Sequence, residues 1–485
     1  MRISETILHG EGPASPVRGQ LAVELLFLAA LAVTLIGGFA SLAAAFLTAS
    51  VHSRDDAQAL AIAEAGIAYY QWHLAYSPTD FTDGTGKPGP YVHAYYNKNG
   101  TAIGTFTLSI APPPSGSTIV TITSSGTVNA DPAIAKAVTV RMGIPSFAQY
   151  AWVLNSPVYF GSTAQVYGVI YSNSGIHFDG VAHNAVESAV TTFSDPTNGG
   201  QTEWGVYTDG PPADPAPPTP LPTGTSPIFL AGRAIGVPAV DFTGITQDLA
   251  AIESSAQSSG YYASSSGAYG YDLALSSTTF TVYKVTKLVA PPRYCSNAYS
   301  QPGWGTWSIQ SETLYATGTI PQNGDMFFSD NLWVRGMVDG VRVTIGSGVF
   351  PANPSTYTNI TVNSSTYYTN YNGSDTIALI AQNNLNIGLV SDNNLTIDAA
   401  LIAQNGNINR YYYGSSCGST YLRNQLTTFG MMGSYLQSGV AYGNPVTSGY
   451  QNRTYDYDAN LLYSPPPSFP LTTSGYVLLS WQQVQ

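Results

Sequence analysis

Charge is scarce in this sequence: 9% of its 485 residues are Asp, Glu, Lys or Arg, and Lys and Arg together number 16. Nucleic-acid binding rests on clustered cations that neutralise phosphates, so a chain with net charge −12 and no basic patch is not read as a nucleic-acid partner. Cysteine is nearly absent too. The two that occur, Cys295 and Cys417, form no paired-cysteine metal motif, and neither an HExxH run nor a phosphate-cradling glycine loop accompanies them. No cofactor is expected. What the chain has in quantity is Gly (48), Tyr (34), Ser, Thr and Asn, the composition of a β-rich exported surface protein. At ~150 residues per domain, the length suggests about three units.

From Leu25 to Val51 no residue carries a formal charge. As a helix this run would reach roughly 40 Å, enough to cross a hydrocarbon core of ~30 Å. Glu24 stands at its head, and a carboxylate there costs ~2.5 to 3.5 kcal/mol on insertion unless a partner neutralises it. Cleavage after Gly19 would create that partner, because the α-ammonium of Gln20 on one copy could pair with Glu24 on a neighbour. Arg18-Gly19-Gln20 followed by Leu21-Ala22-Val23-Glu24-Leu25-Leu26 resembles a class III, or type IV prepilin, signal. Further on, Ala63-Glu64-Ala65-Gly66 resembles the helix ending of PilX-type minor pilins. The resemblance implies a leader over 1–19 removed by a prepilin peptidase, and a hydrophobic helix over 20–76 held in the inner membrane before it joins other pilins. Glu24 would serve assembly. An uncleaved signal anchor is the other reading. Leu60, Ala63, Ile67, Tyr70 and Leu74 recur at spacings of three and four, one apolar stripe on which a head can pack.

After Ser77-Pro78 and a Gly/Pro loop, alternating runs at Gly104 to Ile110, Thr118 to Thr123 and Ala135 to Arg141 predict a small antiparallel head over 77–145. Shorter strands follow, such as Val158-Tyr159-Phe160 and Val166-Tyr167-Gly168-Val169-Ile170. The strongest repeat is Ala378-Leu379-Ile380-Ala381-Gln382-Asn383, which returns as Ala400-Leu401-Ile402-Ala403-Gln404-Asn405. Short apolar strands with Asn-rich corners at a fixed period predict a parallel β-helix or similar solenoid over 146–485. An antiparallel sandwich is the alternative. An insertion is expected at about 205–290. It begins with the Pro-rich run Gly210 to Pro222 and continues as a helix with Phe242, Ile245, Leu249 and Ile252 on one face, capped by Thr246 and ended by Gly260. Tyr261 to Tyr271 reads as mobile surface, and the acidic, Pro-rich end (Arg453 to Pro470) resembles the ends of long PilX-like proteins.

Two constellations invite chemistry. His177, Asp179 and His183 would share a strand face if the strand ran unbroken, a three-ligand pattern for zinc, but Gly180 interrupts it and a polar solvent face explains the same residues; no metal is expected. Asp392 and Asp398 could form a carboxylate pair of the kind that cleaves glycosides, or could cap turns, as Asx residues commonly do. Cys295 and Cys417, an even number in a chain with an export-type start, allow one disulfide; two thiols that never meet is the other reading. The expected fold is mainly β with a long N-terminal α-helix: a pilin-like helix and small antiparallel sheet, then a β-solenoid-like domain with an inserted helix. The expected function is a non-enzymatic minor pilin or pilus-associated subunit, displayed on the cell surface for adhesion to a glycan or other surface ligand. A membrane-anchored polysaccharide-active β-helix enzyme and a type II secretion pseudopilin are the alternatives.

Overall fold

The computed structural model describes residues 18–114, 116–223, 226–472 and 475–484, with the backbone alone at 18–20 and 243–248. The expected leader at 1–19 falls almost wholly outside the described residues. One helix, Arg18–Tyr76, runs 59 residues, roughly 90 Å at 1.5 Å per residue. Its two halves meet different surroundings. From Leu21 to Val51 every residue is exposed, whereas Ala59, Ile62, Ala63, Ile67, Tyr70 and Leu74 are buried. The sequence stripe is recovered with Ala59 and Ile62 added, and Leu60 lies at its edge.

That second half packs on a five-stranded antiparallel sheet, in the order Tyr91–Tyr96, Ala102–Ala111, Ile119–Val128, Asp131–Gly143 and Val477–Val484. Strict alternation over Ile119–Val128 turns Val120, Ile122, Ser124, Gly126 and Val128 to the helix. Glycine sets the approach: a Cβ at Gly126 would lie 2.2 Å from the Ala59 carbonyl oxygen, and one at Gly66 would lie 2.2 Å from Ser124 Oγ. The glycine of the Ala-Glu-Ala-Gly motif is therefore one position where helix and sheet approach too closely for a side chain. On the outer face, hydroxyl pairs Thr105–Thr127 at 2.9 Å and Thr123–Thr139 at 2.8 Å join neighbouring strands. The last strand corrects the expected boundary. Val477–Val484 was assigned by sequence to the solenoid, yet it closes the head sheet against Asp131–Gly143. Arg342 ties the two bodies, donating to the carbonyls of Gly116 (2.6 Å), Ser464 (2.7 Å) and Gly373 (2.8 Å).

The rest is a solenoid of short strands stacked in parallel. The repeat seen in sequence is the pairing register itself, with Ala378, Leu379, Ile380 and Ala381 opposite Ala400, Leu401, Ile402 and Ala403. Leu379, Ala381, Leu401 and Ala403 point into the coil, while Ala378, Ile380, Ala400 and Ile402 belong to a second apolar cluster that includes Leu249, Ile252 and Ala256 of the helix Thr243–Ser259 together with Phe147, Met431 and Phe469. A strand covered on both faces reads as an unbroken apolar run, which is why this repeat was visible. At the corners, Asn383 donates to Asn359 Oδ1 and Asn359 to Asn331 Oδ1, each at 3.1 Å, an amide column linking three rungs.

The chain enters this coil at its middle. Trp152–Leu154, Ile170–Ser172, Val186–Ser188 and Arg233–Ile235 stack outwards in one direction. Residues 236–260 then run back, and Tyr261–Ala263 begins a second arm that returns through Asp325–Phe328, Arg342–Ser347 and Thr376–Ala381. The end of the second arm pairs with the start of the first: Met432, Gly433 and Ser434 lie opposite Trp152, Val153 and Leu154, and Arg453 to Asp456 opposite Ala164 to Tyr167. The expected insertion at 205–290 is thus corrected. Val206–Tyr207, Arg233–Ile235 and Tyr271–Ser277 are rungs, and Tyr271, read as mobile surface, is 1% exposed. The first two, of two and three residues, are too short to leave a periodic signal. The inserted helix starts at Thr243, earlier than the expected Thr246 cap, whose side chain is not described; it ends as expected at Gly260, whose N–H donates to Ala256 O at 3.1 Å.

Candidate functional site

The helix from Leu21 to Val51 is the first candidate. Its mean hydropathy reaches 2.3 and none of that window is covered by the rest of the chain. Polar side chains inside it are satisfied locally: Thr34, Ser41 and Thr48 donate to carbonyls three or four residues back at 2.8, 2.9 and 3.0 Å. Glu24 has no such recourse. It sits exposed among Leu21, Val23, Leu25 and Leu26 and makes no ion pair among the described residues. Gly19 and Gln20 are helical too, since the described part of the same helix extends from Arg18.

In the first arm of the solenoid, stacking aligns Tyr159, His177 and Tyr207 across three rungs. Their rings sandwich the imidazole at 4.5 and 4.4 Å between centroids. Asp195 Oδ2 stands 3.1 Å from Nδ1, and Asp179 Oδ2 and Asp209 Oδ2 stand 3.3 and 3.5 Å from Nε2. Burial opposes the charge on His177, but the nearby carboxylates of Asp179 and Asp195 outweigh it and raise its pKa from 6.5 to about 9. Burial likewise opposes ionisation of Asp179 and Asp195; the bonds from His177, with Tyr207 and Thr197 helping Asp195, hold both below the usual carboxylate range. His183 takes no part. It faces Gln165 Oε1 at 3.0 Å and stacks on Tyr167 at 3.9 Å, so the three-ligand grouping suggested by sequence is not brought together. Among the described residues no cluster of three or more His, Cys, Asp or Glu is arranged to hold a metal. Asp195 escaped sequence reading because it lies in the hairpin Thr192–Asp195 and Gln201–Trp204, an excursion from the coil, and Tyr207 because its rung has only two residues.

A raised histidine pKa stabilises the fold below the unfolded value and loses that contribution as pH climbs through the folded one. The His177 cluster should therefore contribute fully below pH ~6.5 and fade as pH passes about 9. Discounting for partial solvent screening, the loss should be about 2 kcal/mol. Melting curves between pH 6 and 10 should show this decline in the wild type and a flatter profile in His177→Gln; parallel declines would refute the assignment.

Asp392 and Asp398 are each engaged by the adjacent rung. Asp392 Oδ2 accepts the Ser365 N–H at 2.9 Å, and Asp398 Oδ2 accepts the Tyr371 hydroxyl at 2.6 Å and the Tyr368 N–H at 3.2 Å. Burial raises the pKa of Asp398 despite those bonds. Both carboxylates act as inter-rung anchors. Cys295 and Cys417 are joined, with Cα atoms 4.4 Å apart, and Cys417 lies in an aromatic nest with Tyr411, Tyr413, Trp304 and Trp307.

No protein-family model and no curated protein sequence matches the chain. Among solved structures, it is similar to the crystal structure of the competence-associated pilin ComZ from Thermus thermophilus, with 12% identity, a TM-score of 0.32, and coverage of 89% of this chain and 98% of that one. At that score the match bears on neither fold nor function.

Proposed function

We propose that this chain is a minor pilin or pilus-associated subunit of a type IV pilus-like filament, whose helix lies in the filament core and whose solenoid is displayed at the cell surface for adhesion. One observation carries the reading: a single continuous helix is bare and apolar through its first half except for Glu24, and glycine-fitted to an antiparallel sheet through its second. An exposed apolar surface of that length needs either lipid or copies of similar helices around it. Membrane residence before assembly supplies the first, and neighbouring pilins supply the second. The C-terminal strand strengthens the design, because a solenoid tethered to the head at both of its ends is held as one body with the filament-forming unit.

Processing tests this. N-terminal mass spectrometry of the protein from membranes or filaments should find Gln20 first, the product of a prepilin peptidase acting after Gly19. A mature chain that still begins at Met1 would refute it and favour a plain signal anchor.

A further inference from the structure

The two arms of the solenoid are zipped together on two lanes of strands but not on the third. In that lane the segment around Gly439 pairs with Asn409 on one side. On its other side no ladder joins it to Val158–Phe160 among the described residues. The unzipped seam leaves a cavity of about 600 Å³, walled by both arms and by the segment bearing Gln301. That is within the ~300 to 1,000 Å³ of small-molecule sites.

Four buried polar atoms on its walls have no hydrogen-bond partner: Trp152 Nε1, Gln301 Nε2, Asn409 Oδ1 and the Tyr411 hydroxyl. Trp152 and Asn409 are only 3% and 6% exposed. Each unpaired group costs ~1 to 3 kcal/mol, so native folds keep few of them without a use. The rings of Tyr411 and Tyr442 supply apolar faces beside these amides. Arg453 bears the one formal charge among the described residues lining the cavity. Arg453 is 6% exposed, its guanidinium donates to the carbonyl oxygens of Tyr450 (2.7 Å) and Gln451 (3.4 Å), and it makes no ion pair among the described residues. A buried cation without a counter-charge is costly, and an anionic group entering the cavity would relieve it.

We propose that this seam binds a short oligosaccharide bearing a carboxylate: aromatic faces for the pyranose rings, the unpaired amide and indole groups for hydroxyls, and Arg453 for the acid. The assignment deepens the adhesion reading and rests on it for its biological setting, although the binding itself needs no filament. Full-length protein in detergent should therefore be applied to an array of immobilised oligosaccharides presented as neutral and uronate- or sialate-bearing pairs. Binding should be confined to the acidic members. Arg453→Gln should abolish that preference and weaken binding at least tenfold, as expected for a lost charge-assisted bond. Gln301→Ala, on the cavity wall and outside the strand core, should weaken it several-fold in protein that still folds, at a small cost in melting temperature because the Tyr412 N–H loses its acceptor. No binding to any member, equal binding to neutral partners, or full binding by a folded Gln301→Ala protein would each overturn the proposal. If the array result holds while the protein is missing from filaments, the site stands and the pilin reading falls; the converse pattern separates them the other way.

Discussion

Replacing Glu24 by alanine should lower incorporation into filaments at least a hundredfold while leaving membrane insertion intact or slightly improved. The carboxylate is a liability in lipid, costing ~2.5 to 3.5 kcal/mol near the head of an apolar helix, so its removal eases insertion of the monomer. Within a bundle of such helices the balance reverses. The neighbour's Gln20 ammonium would enter apolar surroundings without a counter-charge, and stranding one member of a buried pair costs ~3 to 5 kcal/mol, or at least two decades in an equilibrium. Thr34, Ser41 and Thr48 cannot substitute, since their hydroxyls are already bonded to their own helix. The readout is the ratio of sheared-filament to membrane protein at matched expression. An uncleaved anchor has no free ammonium beside Glu24, so in that case the ratio would not change.

The second large effect is expected at the disulfide. Cys295 and Cys417 are 122 residues apart in sequence, and closing so long a loop stabilises by ~4 to 5 kcal/mol through the entropy it removes from the unfolded chain. The bridge also fastens the segment between Leu288 and Ile309, which carries Gln301 to the seam and lays Trp304 and Trp307 against Tyr411 and Tyr413. Most other ties gather at the end of the segment, where Gly305, Thr306 and Trp307 accept at their carbonyls from the Tyr413 hydroxyl (2.7 Å), the Leu389 N–H (2.8 Å) and Trp333 Nε1 (2.9 Å); nearer its middle the Tyr412 N–H donates to Gln301 Oε1 at 3.0 Å and Trp304 Nε1 to Tyr412 O at 3.4 Å. Cys417→Ser should therefore shift the denaturant midpoint of the solenoid well below that of the oxidised wild type, and make residues 289–308 the first site of proteolysis. Equal midpoints, or free alkylation of both thiols in unreduced denatured protein, would contradict this.

The elements legible in sequence were those with a sustained pattern. The uncharged run to Val51 and the stripe through Leu74 mark the helix because both extend over many turns. Ala378 to Asn383 and its echo mark the solenoid because both faces of those strands are buried, one in the coil interior and one in a second apolar cluster on the outer side. What stayed hidden was pairing across long stretches of chain. Nothing local in Met432 to Ser434 announces Trp152 to Leu154 as its neighbour, and Val477–Val484 carries no mark that sends it back to the head. The same limit governed the sites. His177 and Asp179 were visible as a pair, but Tyr207 reaches them through the stacking of rungs and Asp195 through a hairpin that leaves the coil. The seam cavity draws its walls from both arms and the disulfide-held segment, so no stretch of sequence contains it.

The central claim is that this chain becomes a subunit of a surface filament, and shearing tests it most directly. Filaments mechanically released from cells, freed of membrane and probed for this protein, should contain it in a form that begins at Gln20, with the solenoid accessible to antibodies along or at the end of the fibre. Recovery of all the protein in the membrane fraction, with its first residues intact, would contradict the claim.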